Sequence, residues 1–235
     1  MRRLSRTLGT FLIVAGVGLL AWALVVWTWQ DPFTSLYTRW QQQRLSQRYD
    51  AMLADYQPRI RRGASPAAAT TALRAEARAF RLHSQRGDPI GRIAIRRLGI
   101  DMVLVNGTDH DSLEKGPGRD LRSFMPGEGQ LVYVAGHRTT YLAPFSHIDS
   151  LRPGDSVRIE MPYATFTYAI GGHRIVEADD LSVLRSHGHE LLTLQACHPR
   201  FFASQRYLAF GRLVTVRLRG VSTAVSPAAL AAAAS

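Results

Sequence analysis

One cysteine, Cys197, stands alone among 235 residues. A lone cysteine excludes an intramolecular disulfide and a cysteine-rich metal site, leaving a buried filler or a reactive thiol. No internal repeat is evident, which sets aside repeat architectures. Carboxylates do not cluster, so nothing suggests a calcium loop. Charge is missing altogether from Thr7 to Gln30, and acidic residues are missing from the first thirty positions.

The uncharged run is bracketed by Arg6 and Asp31. At about 1.5 Å per residue it is long enough to cross a hydrocarbon core of about 30 Å. Trp27 and Trp29 fall where an interfacial aromatic belt belongs. A cleaved signal would have a shorter apolar stretch and a small-x-small site, and Gln30-Asp31-Pro32-Phe33 offers none. The run therefore reads as an uncleaved, single-pass membrane anchor. Basic residues tie across it, with Arg2, Arg3 and Arg6 before and Arg39, Arg44 and Arg48 after. The adjoining N-terminal arginines and Asp31 on the far side favour a cytoplasmic N-terminus and an extracellular bulk.

The formal net charge of +11 is unevenly spread. Residues 31–86 carry ten basic and four acidic side chains, whereas residues 87–235 carry sixteen and fourteen. A nucleic-acid protein shows its charge on the fold, so that partner is excluded. Basic residues beside the anchor suit an anionic bilayer or anionic wall polymers, or simply a solvated stalk.

Four segments follow: a cytoplasmic tip and anchor (1–30), a juxtamembrane helical stalk or linker (31–87), a folded domain (88–220) and an Ala/Ser tail expected to be disordered (221–235). Within the stalk, Arg39 to Tyr56 is weakly helical with Trp40, Leu45 and Tyr49 on a loose stripe. Ala67 to Phe80 forms a second helical patch after the Gly63-Ala64-Ser65-Pro66 break. The domain reads as short strands at Ile90–Ile95, Ile100–Val105, Leu131–His137, Ser156–Met161, Thr165–Ile170, Ile175–Glu177, Leu191–Cys197 and Arg206–Leu218. Short helical pieces are expected at Asp109–Lys115 and Ala143–Leu151. Many short strands with few helices predict a mostly β, closed or nearly closed barrel.

In the run Leu191 to Cys197, period two puts Leu192, Leu194 and Ala196 on one face and Thr193, Gln195 and Cys197 on the other. The thiol thus lies on the more polar face at a strand end, where the chain turns at Pro199. A thiol needs a base or cation to become a nucleophile. His137 ends a second alternating run, and Gly136 beside it permits close backbone approach. Arg206 opens the next strand, and its guanidinium is suited to an acyl oxyanion. The plain alternatives are an inert thiol, a surface histidine among eight, and an ion-paired arginine. Thr139, Thr140 and Tyr141 follow His137 and are placed to line a substrate groove; Thr193 is placed to support the strand beside the thiol. Packing is the plainer account of these four. His198, adjacent to Cys197, would point the opposite way. A zinc site from Cys197, His187, His189 and His198 has suitable donors but no familiar spacing. No cofactor and no metal is expected. The residues alone reach a thiol acyl transferase or hydrolase, with a tethered, non-catalytic binding domain as the rival.

Thr193-Leu194-Gln195-Ala196-Cys197 followed by Arg206, with Ala135-Gly136-His137 upstream, resembles the sortases, cysteine transpeptidases of the Gram-positive cell surface. The likeness runs from about Asp88 to Arg219. The runs Gly136-His137-Arg138-Thr139-Thr140-Tyr141 and Cys197-His198-Pro199-Arg200-Phe201 are most similar to actinobacterial class E. The resemblance implies an eight-stranded barrel, with Cys197 as nucleophile, His137 as acid and base, and Arg206 as oxyanion partner. It implies cleavage of a Leu-x-x-Thr-Gly signal between Thr and Gly, Leu-Ala-x-Thr-Gly in class E. The implied partners are surface proteins bearing a C-terminal sorting signal and a cell-wall precursor or peptidoglycan amine as acceptor. Ser186-His187-Gly188-His189 resembles the Ser-His-Gly-Cys run of L,D-transpeptidases, but His189 occupies the nucleophile position.

Overall fold

The computed structural model describes residues 2–28, 32–60, 63–220 and 224–232. The chain order is α1 (Arg2–Thr28), α2 (Pro32–Asp55), α3 (Pro66–His83), β1 (Pro89–Ile95), β2 (Ile100–Asn106), α4 (His110–Leu113), β3 (Gly118–Arg119), β4 (Leu131–Ala135), β5 (Ser156–Glu160), β6 (Ala164–Glu177), β7 (Leu191–His198), β8 (Gln205–Leu218), β9 (Ala224–Val225) and α5 (Pro227–Ala232). Strands β1 to β8 close into a barrel in the order β6-β5-β1-β2-β3-β4-β7-β8, with β8 returning to β6 and β9 added outside β8. The pairs β2–β3 and β4–β7 are parallel and the others antiparallel. The strand pattern predicted a closed or nearly closed barrel, and the resemblance an eight-stranded one; both hold.

Alternation places the core. Val132 and Val134 on β4, Leu192, Leu194 and Ala196 on β7, and Tyr207 and Ala209 on β8 point into the barrel with Ile93, Ile159 and Phe166. Their neighbours point outward, where Leu131, Tyr133, Val176 and Leu208 form a second cluster with Phe210, Val183 and Leu184. Two segments differ from expectation. The separate strands at Thr165–Ile170 and Ile175–Glu177 are one strand, β6, because the Gly171-Gly172 break is absorbed as a register shift against β8. The Ala143–Leu151 helical piece is reduced to a 3₁₀ turn at Ile148–Ser150.

The helices of the expected stalk are present but docked on the barrel. Ser65 caps α3 by accepting from Ala68 N, with Pro66 at the first helical position. Ala69, Leu73 and Ala77, spaced at four residues, are fully buried in the barrel core. Truncating Leu73 to alanine should cost about 2–5 kcal/mol. Along α2, Thr38, Gln42, Leu45 and Tyr49 face the barrel. Thr38 Oγ1 donates to Glu114 O at 2.7 Å, Gln42 both donates to and accepts from Val103 backbone, and Tyr49 OH donates to Glu160 O at 3.2 Å. Composition concealed this, because half of the docking is polar. Of the tail, residues 221–223 and 233–235 lie outside the described residues; in the described part β9 pairs with β8, α5 follows, and Val225 and Leu230 are buried.

Helix α1 includes a 19-residue stretch, Arg6–Leu24, of mean hydropathy 2.0, none of it buried. Its length and composition allow a membrane crossing. Trp29 and the Gln30-Asp31 boundary lie outside the described residues.

Candidate active site

Register brings Cys197 and Arg206 face to face and leads β4 to the same end, with His137 two residues beyond its last ladder pair. β7 is the central strand. On its antiparallel side Cys197 pairs directly with Arg206 of β8, and directly opposed side chains share a face with Cβ atoms about 5 Å apart. On its parallel side β4 runs from Leu131 opposite Leu191 to Ala135 opposite Gln195. Gly136 N donates to Gln195 O at 3.0 Å, so the chain still follows β7 one residue past the last ladder pair, and His137 comes next. β7 and β8 thus present Cys197 and Arg206 as directly opposed residues at one end of the barrel, and the segment that carries His137 leaves β4 at the same end. Cys197 is half-buried.

Burial lowers the His137 imidazole below its ordinary value; nearby His110 lowers it further, and Glu114 opposes both. Its Nε2 is buried and makes no hydrogen bond, so no protein acceptor competes for that nitrogen. The Tyr141 ring lies 5.0 Å from the imidazole, tilted by 37°. Tyr141 OH donates to Glu114 Oε1 at 2.6 Å, and Glu114 pairs with His110 at 2.9 Å. Tyr141 N donates to Thr34 Oγ1 of α2 at 3.1 Å. Tyr141, Leu142 and Ala143 all have positive φ, at 53°, 62° and 38°, a left-handed turn that costs about 1–2 kcal/mol per non-glycine residue. Strain of this kind persists where surrounding contacts over-determine it.

Arg206 is half-buried, and its Nη1 donates to Ala203 O and Gln205 O at 2.7 and 2.9 Å. Those bonds hold the guanidinium against the loop between β7 and β8. That loop exposes Phe201 and Phe202, the latter 82 % accessible.

The remaining foreseen residues divide. Thr139 and Thr140 are half-buried and follow His137 directly. Thr193 lies on the outward face as expected but is only 1 % exposed, between Tyr133 and Phe210 in the ladders, with no partner for its hydroxyl. It sits under the surface and does not line it. Among the described residues no three His, Cys, Asp or Glu side chains are grouped to hold a metal.

Arg138 was not foreseen. It is buried, and its guanidinium donates to Asp149 at 2.7 Å, to Cys197 O at 3.3 Å and to Ser146 O at 3.4 Å, and meets His198 Nδ1 at 3.0 Å. It therefore ties the segment after His137 to the strand end that carries the thiol. The available signal was parity: a residue next to an outward His137 must point inward. His198 does likewise, its ring lying 6.2 Å from that of core residue Tyr207. Phe145 was missed as well. It packs so tightly on Gly136 that a Cβ there would lie 2.7 Å from its ring.

The site can be set beside known proteins. A family model described as the sortase domain matches residues 93–214. Sortase D of Bacillus subtilis is 35% identical over 135 residues, covering 56% of this chain and 67% of the relative. Sortase SrtE1 of Streptomyces coelicolor is 30% identical over 109 residues, covering 42% and 31%. Among solved structures, the Clostridium perfringens Sortase D5 transpeptidase superposes with a TM-score of 0.60 at 23% identity, over 74% of this chain and 98% of that one. The matched stretch holds β4, β7 and most of β8 with the thiol between them, and the chain belongs to the sortase family of cysteine transpeptidases.

Proposed function

We propose that this chain is a membrane-anchored transpeptidase that cleaves a Leu-x-x-Thr-Gly-type sorting signal between Thr and Gly through a thioester on Cys197. The acyl group then passes to a cell-wall precursor or peptidoglycan amine. The observation that supports the reading is the register, which pairs Cys197 with Arg206 and runs β4 alongside β7 up to Ala135, two residues before His137. In the first step the Cys197 proton passes to His137 and the sulfur attacks the threonine carbonyl carbon. The resulting oxyanion is held by the guanidinium of Arg206. The imidazolium gives its proton to the glycine nitrogen as the C–N bond breaks, leaving the thioester. An incoming amine attacks the thioester, His137 accepts its proton, and the sulfur departs as thiolate.

Thr139, Thr140 and Tyr141 are assigned to the peptide groove beside His137, and Thr193 to support of β7. Residues 88–220 are the catalytic unit and residues 31–87 the docked linker. Residues 1–30 are the anchor, with the N-terminus cytoplasmic and the barrel extracellular. Support for the anchor is the exposed apolar helix α1. The substrates are surface proteins carrying a C-terminal signal. The class E signal, Leu-Ala-x-Thr-Gly, is the first peptide to try; the higher identity to a sortase D argues for including other Leu-x-x-Thr-Gly peptides beside it.

The test is mass spectrometry of the chain incubated with these peptides and a glycine-based amine. The expected product joins the amine to threonine, and Cys197→Ala forms neither thioester nor product. Cleavage with water alone as acceptor would make the protein a hydrolase, and an acyl-enzyme trapped on another residue would refute the assignment of Cys197.

A further inference from the structure

The first turns of α2 present two faces of opposite kind. Thr38, Gln42, Leu45 and Tyr49 dock on the barrel. Leu36, Trp40, Gln43 and Gln47 repeat the same spacing offset by two positions, about 200° round a helix, and so face away from it. Leu36 is 70 % exposed and Trp40 48 % exposed, although both are large and apolar. Arg39 and Arg44 flank them, both exposed, with the Arg44 guanidinium 4.6 Å from the Trp40 ring centroid. Arg48 lies further along and pairs with Asp88. From Pro32 to Tyr49 there is no acidic residue. An aromatic and an aliphatic side chain beside arginines is the composition that rests at a lipid headgroup layer.

Covalent geometry places this face. Thr28 ends α1 and Pro32 begins α2, four Cα steps that span at most about 14 Å. Thr34 is two helical residues further, about 3 Å of rise. Thr34 Oγ1 accepts from Tyr141 N, and the Tyr141 ring lies against that of His137. The end of the apolar helix is therefore tied to the thiol end of the barrel through a handful of residues.

We propose that the exposed face of α2 around Leu36, Arg39, Trp40 and Arg44 docks on the anionic lipid surface and thereby holds the Cys197 end of the barrel at the bilayer. The proposal rests on the reading of α1 as a membrane anchor. The occupant is a bilayer because the surface continues directly from α1, and an anionic one because the flanking charge is all positive. Its functional consequence is that the site meets peptides and amines held at the membrane surface before those that project further out.

Cys197 is the chain's only thiol, so a fluorescent donor placed there reports the position of the site itself. The full chain is reconstituted in nanodiscs of phosphatidylcholine, with or without phosphatidylglycerol, with an acceptor dye on the headgroups. Energy transfer should be strong and should rise when phosphatidylglycerol is included, because each arginine at an anionic surface is worth about fivefold in occupancy. Arg39→Glu with Arg44→Glu should abolish that rise, and Trp40→Ser should weaken transfer in both lipids. Unlabelled versions of these variants should keep wild-type turnover of a short soluble peptide, which also shows that they fold. Transfer indifferent to phosphatidylglycerol and to the arginine reversals, in a chain that resists carbonate extraction, overturns the docking and leaves the anchor standing. A chain released by carbonate overturns the anchor and the docking together.

Discussion

Gly136→Ala tests whether the position of His137 is set by packing beneath it. A Cβ at residue 136 would lie 2.7, 2.9 and 3.1 Å from three ring carbons of Phe145. Carbon atoms pack at about 3.5–4.0 Å, so the methyl or the ring must yield by about 0.8 Å. Phe145 has no room, being fully buried in the barrel core. Its amide also donates to His137 O at 3.0 Å, so a displaced Phe145 carries the histidine backbone with it. Overpacking of this kind costs about 1–3 kcal/mol, and a 1 Å misplacement of a reacting group costs about 100-fold in rate. The expected outcome is a fall of about 10–100-fold in kcat/KM for peptide cleavage, with a lowered unfolding midpoint. Adding Phe145→Leu makes room and should recover much of both losses, so the pair should be non-additive. Wild-type turnover in Gly136→Ala, or strictly additive losses in the double variant, would refute the argument.

Three further outcomes are expected. The charge on His110 lowers the His137 imidazole and that on Glu114 raises it, so His110→Gln should move the His137 titration to higher pH and Glu114→Gln to lower pH; NMR titration of the ring reads the sign, and shifts in the reverse sense would contradict the placement. Glu190 is fully buried, accepts from Tyr168 OH, Gly127 N and Gly129 N, and is pushed up to about 7 by burial. The folded state thus keeps this proton longer than the unfolded chain does, and the stability it adds is full below about pH 4.5 and is lost as pH rises to about 7, a change of about 3 kcal/mol. Glu190→Gln should flatten denaturation midpoints across that window; an unchanged slope would remove Glu190 as its source. Arg138→Met removes the donor to the Cys197 and Ser146 carbonyls and leaves Asp149 without its partner, a loss of about 1–3 kcal/mol, and should lower kcat with little change in KM. Asp149→Asn should be milder because Asp149 is half-exposed, and equal losses in the two variants would show that the ion pair, not the carbonyl contact, matters.

Much of the site was legible along the chain. Alternation alone assigned Leu192, Leu194 and Ala196 to the core and Cys197 outward, because successive Cβ atoms in a strand take opposite faces whatever the strand pairs with. The same rule places His198 and Arg138 inward, although only His198 was read that way. Composition located the apolar run of α1, since its length answers to hydrophobic thickness and not to any partner. Less legible were β3, two residues long, and β9, which exist only as additions to neighbouring strands. The docking of α2 and α3 was hidden too. Gln42 and Thr38 bind backbone groups of β2 and the α4 turn, and a polar side chain carries no mark of the partner it will find. Ala69 and Ala77 read as helix formers, yet they are small because the barrel wall lies against them.

Local spacing therefore established which face each side chain of β4, β7 and β8 would take, and that a thiol, an imidazole and a guanidinium each stood at a strand end. Their assembly depended on pairings about sixty residues apart on one side, Ala135 with Gln195, and across a short loop on the other, Cys197 with Arg206. Neighbouring strands are chosen by closure of the whole barrel, in which every backbone N–H and C=O must find a partner at once. No short stretch of chain contains that condition. It sets Cys197 opposite Arg206 and runs the segment that carries His137 beside them, with Arg138 bonded to Cys197 O and α2 bonded to Tyr141.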